Sequence, residues 1–149
     1  MKKCSEVMTA NPVCCTPDET VARVAKLMKT EDVGSVPICE DRNTRRLVGI
    51  ITDRDLAILV VAAGKDPNSV KAKDVMTRDP FTCRPNDDIH FALDAMEKHQ
   101  VRRMAVTDNN GVLVGIISQA DVAIRADERE KTAELVEEVS KPSTMTRAG

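Results

Sequence analysis

Aromatic residues are almost absent from this sequence. Of its 149 residues only Phe81 and Phe91 are aromatic, which is 1% of the chain, and there is no Trp or Tyr. Platforms that stack nucleic-acid bases and aromatic cages that hold cations are therefore nearly excluded. The core has to be built from Val, Ile, Leu, Met and Ala.

An excess of charge of one sign is also missing. The 22 Lys and Arg residues and 24 Asp and Glu residues are interspersed, so the sequence offers no basic face to nucleic acid. No apolar run approaches the roughly 20 residues of a membrane span, and the first residues form no hydrophobic export segment. We therefore expect a cytoplasmic protein that binds neither nucleic acid nor a membrane.

Motifs of enzyme active sites are lacking as well. The chain has no nucleophile elbow, Walker loop, dinucleotide fingerprint or Cys/His nucleophile pair, so we predict no catalytic residue and no required cofactor. The cysteines are odd in number, and no two have zinc-knuckle spacing. We expect reduced, buried thiols and no metal site. The cysteines are Cys4, Cys14, Cys15, Cys39 and Cys83.

What the sequence does contain is a repeat of itself. When the segment from Val7 is laid over the segment from Val75, identical residues recur through both units. We predict two units at residues 5–62 and 75–126, a linker at 63–74, a C-terminal helix at 127–139 and a disordered tail at 140–149. The identical pairs include Val7/Val75, Met8/Met76, Thr9/Thr77, Pro12/Pro80, Cys15/Cys83, Met28/Met96 and, after a loop of different length, Gly49/Gly115 and Asp55/Asp121.

Both units are predicted to have the same alternation of strands and helices, which is an α/β (α+β) fold. Strands are expected at 35–39 and 47–51 and again at 104–107 and 112–117. A first helix in each unit should bury the apolar positions spaced at helical intervals. These positions are Val21, Val24, Ala25 and Met28 in the first unit and Ile89, Ala92, Leu93 and Met96 in the second.

The step from the last strand to the second helix carries the most informative residues. Thr52 and Ser118 stand at the predicted helix starts, and Asp55 and Asp121 follow three positions later. This spacing is that of a capping box, which needs no ligand. A helix start also offers free N–H groups to phosphate, and a carboxylate there can accept hydrogen bonds from ribose hydroxyls. The two interpretations are compatible.

Two adjacent arginines, Arg102 and Arg103, begin the second strand of unit two, where unit one has Gly34 and Ser35. A guanidinium group donates two parallel hydrogen bonds and suits phosphate, although a solvated surface pair is the alternative.

Together these motifs resemble the CBS-domain family, over roughly residues 5 to 125. The resemblance rests on the doubled Val-Met-Thr and Gly-Ile-Ile-Thr/Ser-x-x-Asp patterns. Within the family, the sequence is similar to stand-alone bacterial CBS pairs of the hypoxic-response type. It implies two β-α-β-β-α units packed through their sheets as a Bateman module, commonly in a homodimer. It also implies that clefts between the units bind AMP, ADP, ATP or a related adenosyl ligand.

The resemblance further implies roles for particular residues. Asp55 and Asp121 match the ribose-binding carboxylate, Thr52 and Ser118 the hydroxyl near ribose or phosphate, and Arg103 the phosphate-facing residue. We expect Arg54 to be a second phosphate contact. Because unit one has Gly34 and Ser35, we expect a tighter cleft formed by Arg102, Arg103, Ser118 and Asp121 and a weaker one formed by Thr52, Arg54 and Asp55.

The functional prediction is an adenine-nucleotide sensor of energy or stress state, which acts through its dimer or through an unknown protein partner. Two alternatives stay open. One is a redox or metal sensor on the same fold that uses Cys14 or Cys15 with Cys39. The other is a purely structural dimerisation module, in which the Thr and Asp residues only cap helices.

Overall fold

The elements of the protein follow the predicted repeat. A computed structural model describes residues 2–126, so the predicted helix at 127–139 and tail at 140–149 lie outside the described residues. The helices are α1 (Cys4–Val7), α2 (Val21–Glu31), α3 (Asp53–Leu56), α4 (Ala72–Val75), α5 (Ile89–Lys98) and α6 (Gln119–Asp121), with π-helical segments at Ala57–Val61 and Val122–Ala126. The strands are β1 (Thr9–Ala10), β2 (Ser35–Cys39), β3 (Leu47–Thr52), β4 (Thr77–Arg78), β5 (Thr82–Cys83), β6 (Arg103–Thr107) and β7 (Leu113–Ser118).

The strands form two sheets, and each sheet combines strands from both units. One sheet has the order β2-β3-β4 and the other the order β1-β7-β6-β5. Strand β1 lies at the start of unit one, yet Thr9 pairs with Ile116 of β7. Strand β4 lies at the start of unit two, yet Thr77 pairs with Ile50 of β3. The leading segments of the two units are therefore exchanged.

A methionine packed over a glycine holds each exchanged segment. A Cβ atom added at Gly49 would lie 2.8 Å from Cγ of Met76, and one added at Gly115 would lie 2.9 Å from Cγ of Met8. Only a residue without a side chain leaves room for this approach. The repeated Gly and Met positions of the sequence are thus partners across the two units.

Each unit has its own core beneath its sheet. The core of unit one contains Val21 and Val24 of α2 together with Ala72, Val75 and Met76 of the exchanged segment. The core of unit two is completed in the same way by Cys4 and Val7. Each core is therefore completed by the segment that leads into the other unit.

The helix faces agree with the predicted spacing except at one position. Helix α2 begins after Thr20, whose hydroxyl accepts a hydrogen bond from the Arg23 N–H. Ala25, predicted to be buried, is exposed, because the buried face of α2 runs through Val21 and Val24 and only partly covers Leu27 and Met28. In α5 the residues Ile89, Ala92 and Met96 are buried as predicted.

The two units pack through their sheets. The Leu47 N–H donates to the Gly111 carbonyl at 3.0 Å, and the Leu113 N–H donates to the Arg45 carbonyl at 2.8 Å. A third buried cluster lies at this junction and contains Cys14, Cys39, Ala105 and Leu113. The predicted α/β class and the packing of two units through their sheets are confirmed. None of the helices within residues 2–126 is long and apolar enough to cross a bilayer.

Candidate functional site

A cavity of about 660 Å³ opens between the two units, and we call it the interunit cleft. This volume lies in the range that small-molecule sites occupy in proteins. Its charged and polar lining residues include Thr52, Asp53, Arg54, Asp55, Arg102 and Arg103. Its apolar lining residues, which we call the apolar wall, are Ile50, Pro80, Phe81, Val101, Met104 and Ala105, and Thr77, Asp79 and His99 also line the cavity.

The start of α3 forms the predicted capping box. The Thr52 hydroxyl accepts from the Asp55 N–H at 3.1 Å, and Oδ2 of Asp55 accepts from the Thr52 N–H at 2.9 Å. Within residues 2–126 no donor reaches the second carboxylate oxygen of Asp55, and the residue is half-buried at the cleft. The capping role thus leaves one oxygen of Asp55 available to a ligand hydroxyl.

Arg103 reaches the cleft across the surface of Gly34. The Gly34 carbonyl accepts from the Asp53 N–H at 2.9 Å, so Gly34 lies at the point where α3 begins. A Cβ atom added at Gly34 would lie 2.8 Å from Cζ of Arg103 and would overlap one guanidinium nitrogen. The absence of a side chain at Gly34 therefore makes room for Arg103 of the other unit.

The structure groups these residues differently from the two predicted clefts. The sequence placed Arg102 and Arg103 with Ser118 and Asp121, because they lie within one unit, and Arg103 is indeed opposite Ser118 in the β6–β7 pair. The arginine side chains instead line the same cavity as Thr52, Arg54 and Asp55. The described lining of that cavity includes neither Ser118 nor Asp121. The Ser118 hydroxyl accepts from the Asp121 N–H at 2.9 Å and caps α6.

The interunit cleft collects arginines that have no charged counterpart in the repeat. The residues at the repeat positions of Arg54, Arg102 and Arg103 are Ala120, Gly34 and Ser35. In the part of the chain that the structure describes, neither Arg54 nor Arg103 has a carboxylate within ion-pair distance. Both guanidinium groups can therefore receive an anion. A cleft built around Ser118 and Asp121 would lack this charge.

Sequence reasoning missed the aromatic side of the cleft. The rings of Phe81 and His99 lie with centroids 4.3 Å apart at an interplanar angle of 33°, and both line the cavity. The low aromatic content argued against a stacking platform, but one of the two phenylalanines stands at the site and is 45% exposed. The separation of positions 81 and 99 along the sequence does not indicate that they lie close together in the structure.

The cysteines named in the redox alternative occupy two different places. Cys14 and Cys39 are buried together at the junction of the units, whereas Cys15 belongs to the core of unit one. A hydrogen bond from the Cys39 thiol, aided by the guanidinium of Arg45, lowers the pKa of Cys14 to about 6, against the opposing effect of burial. Burial raises the pKa of Cys15 to about 12. Residues 2–126 contain no group of three or more His, Cys, Asp or Glu residues that could hold a metal ion.

A doubled α/β unit with a cleft between its halves defines the class of protein, and comparison with known families identifies it. The model of the CBS domain matches residues 4–62 and 72–127, so the chain belongs to the CBS-domain family.

Among its relatives, hypoxic response protein 1 of Mycobacterium tuberculosis is 38% identical over 123 residues, which is 83% of this chain and 84% of the relative. A crystal structure of Hypoxic Response Protein I with two coordinated zinc ions superposes with a TM-score of 0.74 at 38% identity and covers 82% of this chain and 97% of that one.

Two further solved structures are similar. A CBS domain protein from Pyrobaculum aerophilum complexed with AMP is 28% identical with a TM-score of 0.77, over 91% of this chain and 99% of that one. The hexameric CBS-CP12 protein from bloom-forming cyanobacteria is 27% identical with a TM-score of 0.77, over 87% of this chain and 71% of that one.

Proposed function

We propose that this chain is a regulatory module that binds an adenine nucleotide, or a related adenosyl ligand, in the interunit cleft. The observation that carries the proposal is the meeting of Arg54, Arg102 and Arg103 with the Asp55 carboxylate and an apolar wall in one cavity. The AMP complex of the Pyrobaculum aerophilum relative supports the choice of ligand. The protein is proposed to act without catalysis.

Each part of the nucleotide has a matching part of the cleft. The guanidinium groups of Arg103 and Arg54 bind phosphate, because two parallel N–H donors match two phosphate oxygens. The free oxygen of Asp55 accepts from a ribose hydroxyl, and the hydroxyl of Thr52 lies beside it. The base packs against the apolar wall near Phe81 and Val101. Ser118 and Asp121 are proposed to serve a second, weaker ligand position, because no arginine stands at the corresponding places.

Binding regulates through the arrangement of the two units. Since Asp55 belongs to unit one and Arg103 to unit two, a ligand that contacts both favours the arrangement in which the two residues face each other. A protein partner, or a second copy of the chain, then distinguishes the bound arrangement from the free one. In this role the protein reports energy or stress state, and we place it in the cytoplasm, where its free thiols stay reduced.

Thermal unfolding with AMP, ADP, ATP and S-adenosylmethionine tests the proposal directly. A ligand at one hundred times its Kd stabilises the folded state by about 2.7 kcal/mol, which raises Tm by several degrees in a domain of this size. We expect at least one of the four ligands to do so, and guanosine nucleotides at the same concentration to raise Tm less. Failure of every adenine ligand at millimolar concentration would overturn the proposal.

We propose that two copies of the chain form a homodimer through the π-helical segments that follow α3 and α6. These segments expose Ile58 (46%), Leu59 (43%), Val61 (75%) and Ile124 (62%), and Ile58 and Ile124 hold the same repeat position. Exposed apolar residues that recur in both units are typical of an interface. The hexameric assembly of the CBS-CP12 relative supports self-association.

Light scattering of Val61→Glu checks this dimer. The wild-type chain should have the mass of a dimer and the variant that of a monomer, since a buried carboxylate at an apolar interface is costly. The matched control is Val33→Glu, which places the same charge at an exposed valine outside the segments. A monomeric wild type at every concentration, or a Val61→Glu protein that stays dimeric, would contradict the proposed interface.

A second candidate function is redox sensing by the Cys14–Cys39 pair. The favouring observation is the Cys14 thiol, hydrogen-bonded to Cys39 and 3.7 Å from Nη1 of Arg45. Because its pKa is lowered and that of Cys39 is raised, Cys14 is the more acidic thiol of the pair and the better nucleophile toward peroxide. We propose this thiol pair rather than a metal site as the alternative, and Cys15 takes no part because its pKa is raised.

Peroxide treatment separates this candidate from nucleotide sensing. Oxidation is expected to join Cys14 and Cys39 as the peroxide is reduced to two waters, and to change the nucleotide-free Tm. In a Cys4→Ala background, which excludes a disulfide between Cys4 and Cys83, Cys39→Ser should abolish the change, whereas Cys15→Ser should preserve it. An unchanged Tm and two alkylatable thiols after oxidation would eliminate redox sensing by this pair and leave the nucleotide proposal standing.

A further inference from the structure

The N-terminal segment of the chain is fixed to unit two next to the end of β5. The Cys4 N–H donates to the Asp87 carbonyl at 2.8 Å, and the Ser5 N–H donates to the Pro85 carbonyl at 2.9 Å. Both acceptors lie in the loop that begins directly after Cys83. Backbone hydrogen bonds therefore hold the start of α1 beside the last residue of β5.

Cys4 and Cys83 meet inside the core of unit two. Both are buried, with 0% and 1% of their surface exposed, and both belong to the same cluster. The Cys83 thiol hydrogen-bonds to the Cys4 sulfur, and this bond lowers the pKa of Cys4 and raises that of Cys83. The two sulfur atoms are thus direct neighbours, and Cys4 is the more acidic.

The repeat shows that the core does not require the second thiol. In the core of unit one, the residues at the repeat positions of Cys4 and Cys83 are Ala72 and Cys15. Ala72 and Cys15 are also fully buried and share one cluster, so an alanine fills the place of Cys4 there. At this position of the repeat, a pair of thiols is therefore found only in the core of unit two, and packing does not account for it.

We propose that Cys4 and Cys83 are a modification site, at which peroxide forms a reversible disulfide that fastens the N-terminal segment to unit two. The Cys4 thiolate attacks hydrogen peroxide and becomes a sulfenic acid as hydroxide leaves. The Cys83 sulfur then attacks the sulfenic sulfur, the S–S bond forms, and the second oxygen leaves as water with the Cys83 proton. Two thiols are oxidised and one peroxide is reduced to two waters.

Access to the buried Cys4 comes from local opening. The segment is short and exposes Lys3, Ser5 and Glu6, the neighbours of Cys4. Short segments with exposed residues open at low free-energy cost, and reclosing brings the oxidised Cys4 back to Cys83. Since the same segment carries β1 at the edge of the four-stranded sheet, the disulfide holds that edge in place. This inference does not depend on the proposed nucleotide function.

Peptide mapping of the full-length wild-type protein tests the site. A protease that cuts after glutamate places Cys4 in residues 1–6, Cys14 and Cys15 in 7–19, Cys39 in 32–40 and Cys83 in 41–97. After hydrogen peroxide and alkylation of free thiols, we expect peptide 1–6 joined to peptide 41–97, and release of both by dithiothreitol. Recovery of both peptides only as separate alkylated or over-oxidised species would overturn the proposal.

A second measurement asks whether the bond fastens the segment. In the Cys14→Ala/Cys39→Ala protein, peroxide should raise Tm by about 5 °C or more, because the disulfide closes a long loop in the unfolded chain. Adding Cys4→Ala should abolish the rise. The matched control is Cys15→Ala, at the repeat position of Cys83, which should leave the rise intact. An oxidised protein with unchanged or lower Tm would contradict the fastening role.

Discussion

Replacement of Arg103 by alanine is expected to weaken adenine-nucleotide binding by about tenfold to a hundredfold. Arg103 is half-buried in the cleft, and the loss of a charge-assisted hydrogen bond costs about 1.5–3 kcal/mol. Isothermal titration calorimetry of the wild type and variant with the ligand found by thermal unfolding measures the difference. The loss should be greater for ATP than for adenosine, because Arg103 faces phosphate.

The matched control is Arg23→Ala, which removes the same charge from an exposed arginine outside the cleft. Its effect on affinity should be less than twofold, since exposed charges are screened by salt. If Arg103→Ala binds as tightly as Arg23→Ala, phosphate binding by Arg103 is refuted.

Gly34→Ala provides an independent route to the same loss. The added methyl group would overlap the guanidinium of Arg103, whose flexible tip can move away, so the fold should tolerate the substitution. We expect the affinity of Gly34→Ala to fall toward that of Arg103→Ala and the ligand-free Tm to change little. In the double variant the two losses should not add, because both remove one contact. Additive losses would show that Gly34 acts by another means.

Truncation of either core is expected to destabilise the whole described fold by about 2–5 kcal/mol. Ile51 and Ile117 hold the same repeat position in the two units, and both are 0% exposed. Ile51→Ala and Ile117→Ala remove the same atoms from the two cores. Each core contains the exchanged segment that leads into the other unit. We therefore expect one cooperative unfolding transition, with its midpoint at a lower urea concentration in both variants.

The control for the core variants is Phe91→Ala, which truncates a 48% exposed side chain on α5 and should cost much less. Two separate transitions, of which a variant displaces only one, would show that the units unfold independently and would contradict the importance of the exchanged segments.

The parts of the fold that were predictable depend on local chemistry. The Thr52 hydroxyl and the Asp55 carboxylate accept hydrogen bonds from N–H groups at the start of their own helix. Their spacing in the sequence therefore predicts their capping role. The apolar spacing of α5 predicts its buried face for the same reason. The repeat then extended each local prediction to the second unit.

The parts that were not predictable depend on contacts between the units. Arg103 and Ser118 lie in the same unit, and sequence reasoning therefore assigned both to one cleft. The side chain instead lies over Gly34 of the other unit, and only the packed sheets reveal this. Phe81 with His99, and Cys4 with Cys83, are likewise brought together by tertiary packing. One sequence feature could have indicated the contact: the repeat aligns Gly34 and Ser35 with the two arginines, Arg102 and Arg103.

A crystal structure of the protein with ATP tests the central claim most directly, because the claim concerns one cleft and named atoms within it. We expect the nucleotide in the interunit cleft, with phosphate oxygens on the Arg103 guanidinium, a ribose hydroxyl on the free oxygen of Asp55 and the base against the apolar wall near Phe81. A nucleotide bound at Ser118 and Asp121 with the interunit cleft empty, or no bound nucleotide at saturating concentration, would contradict it.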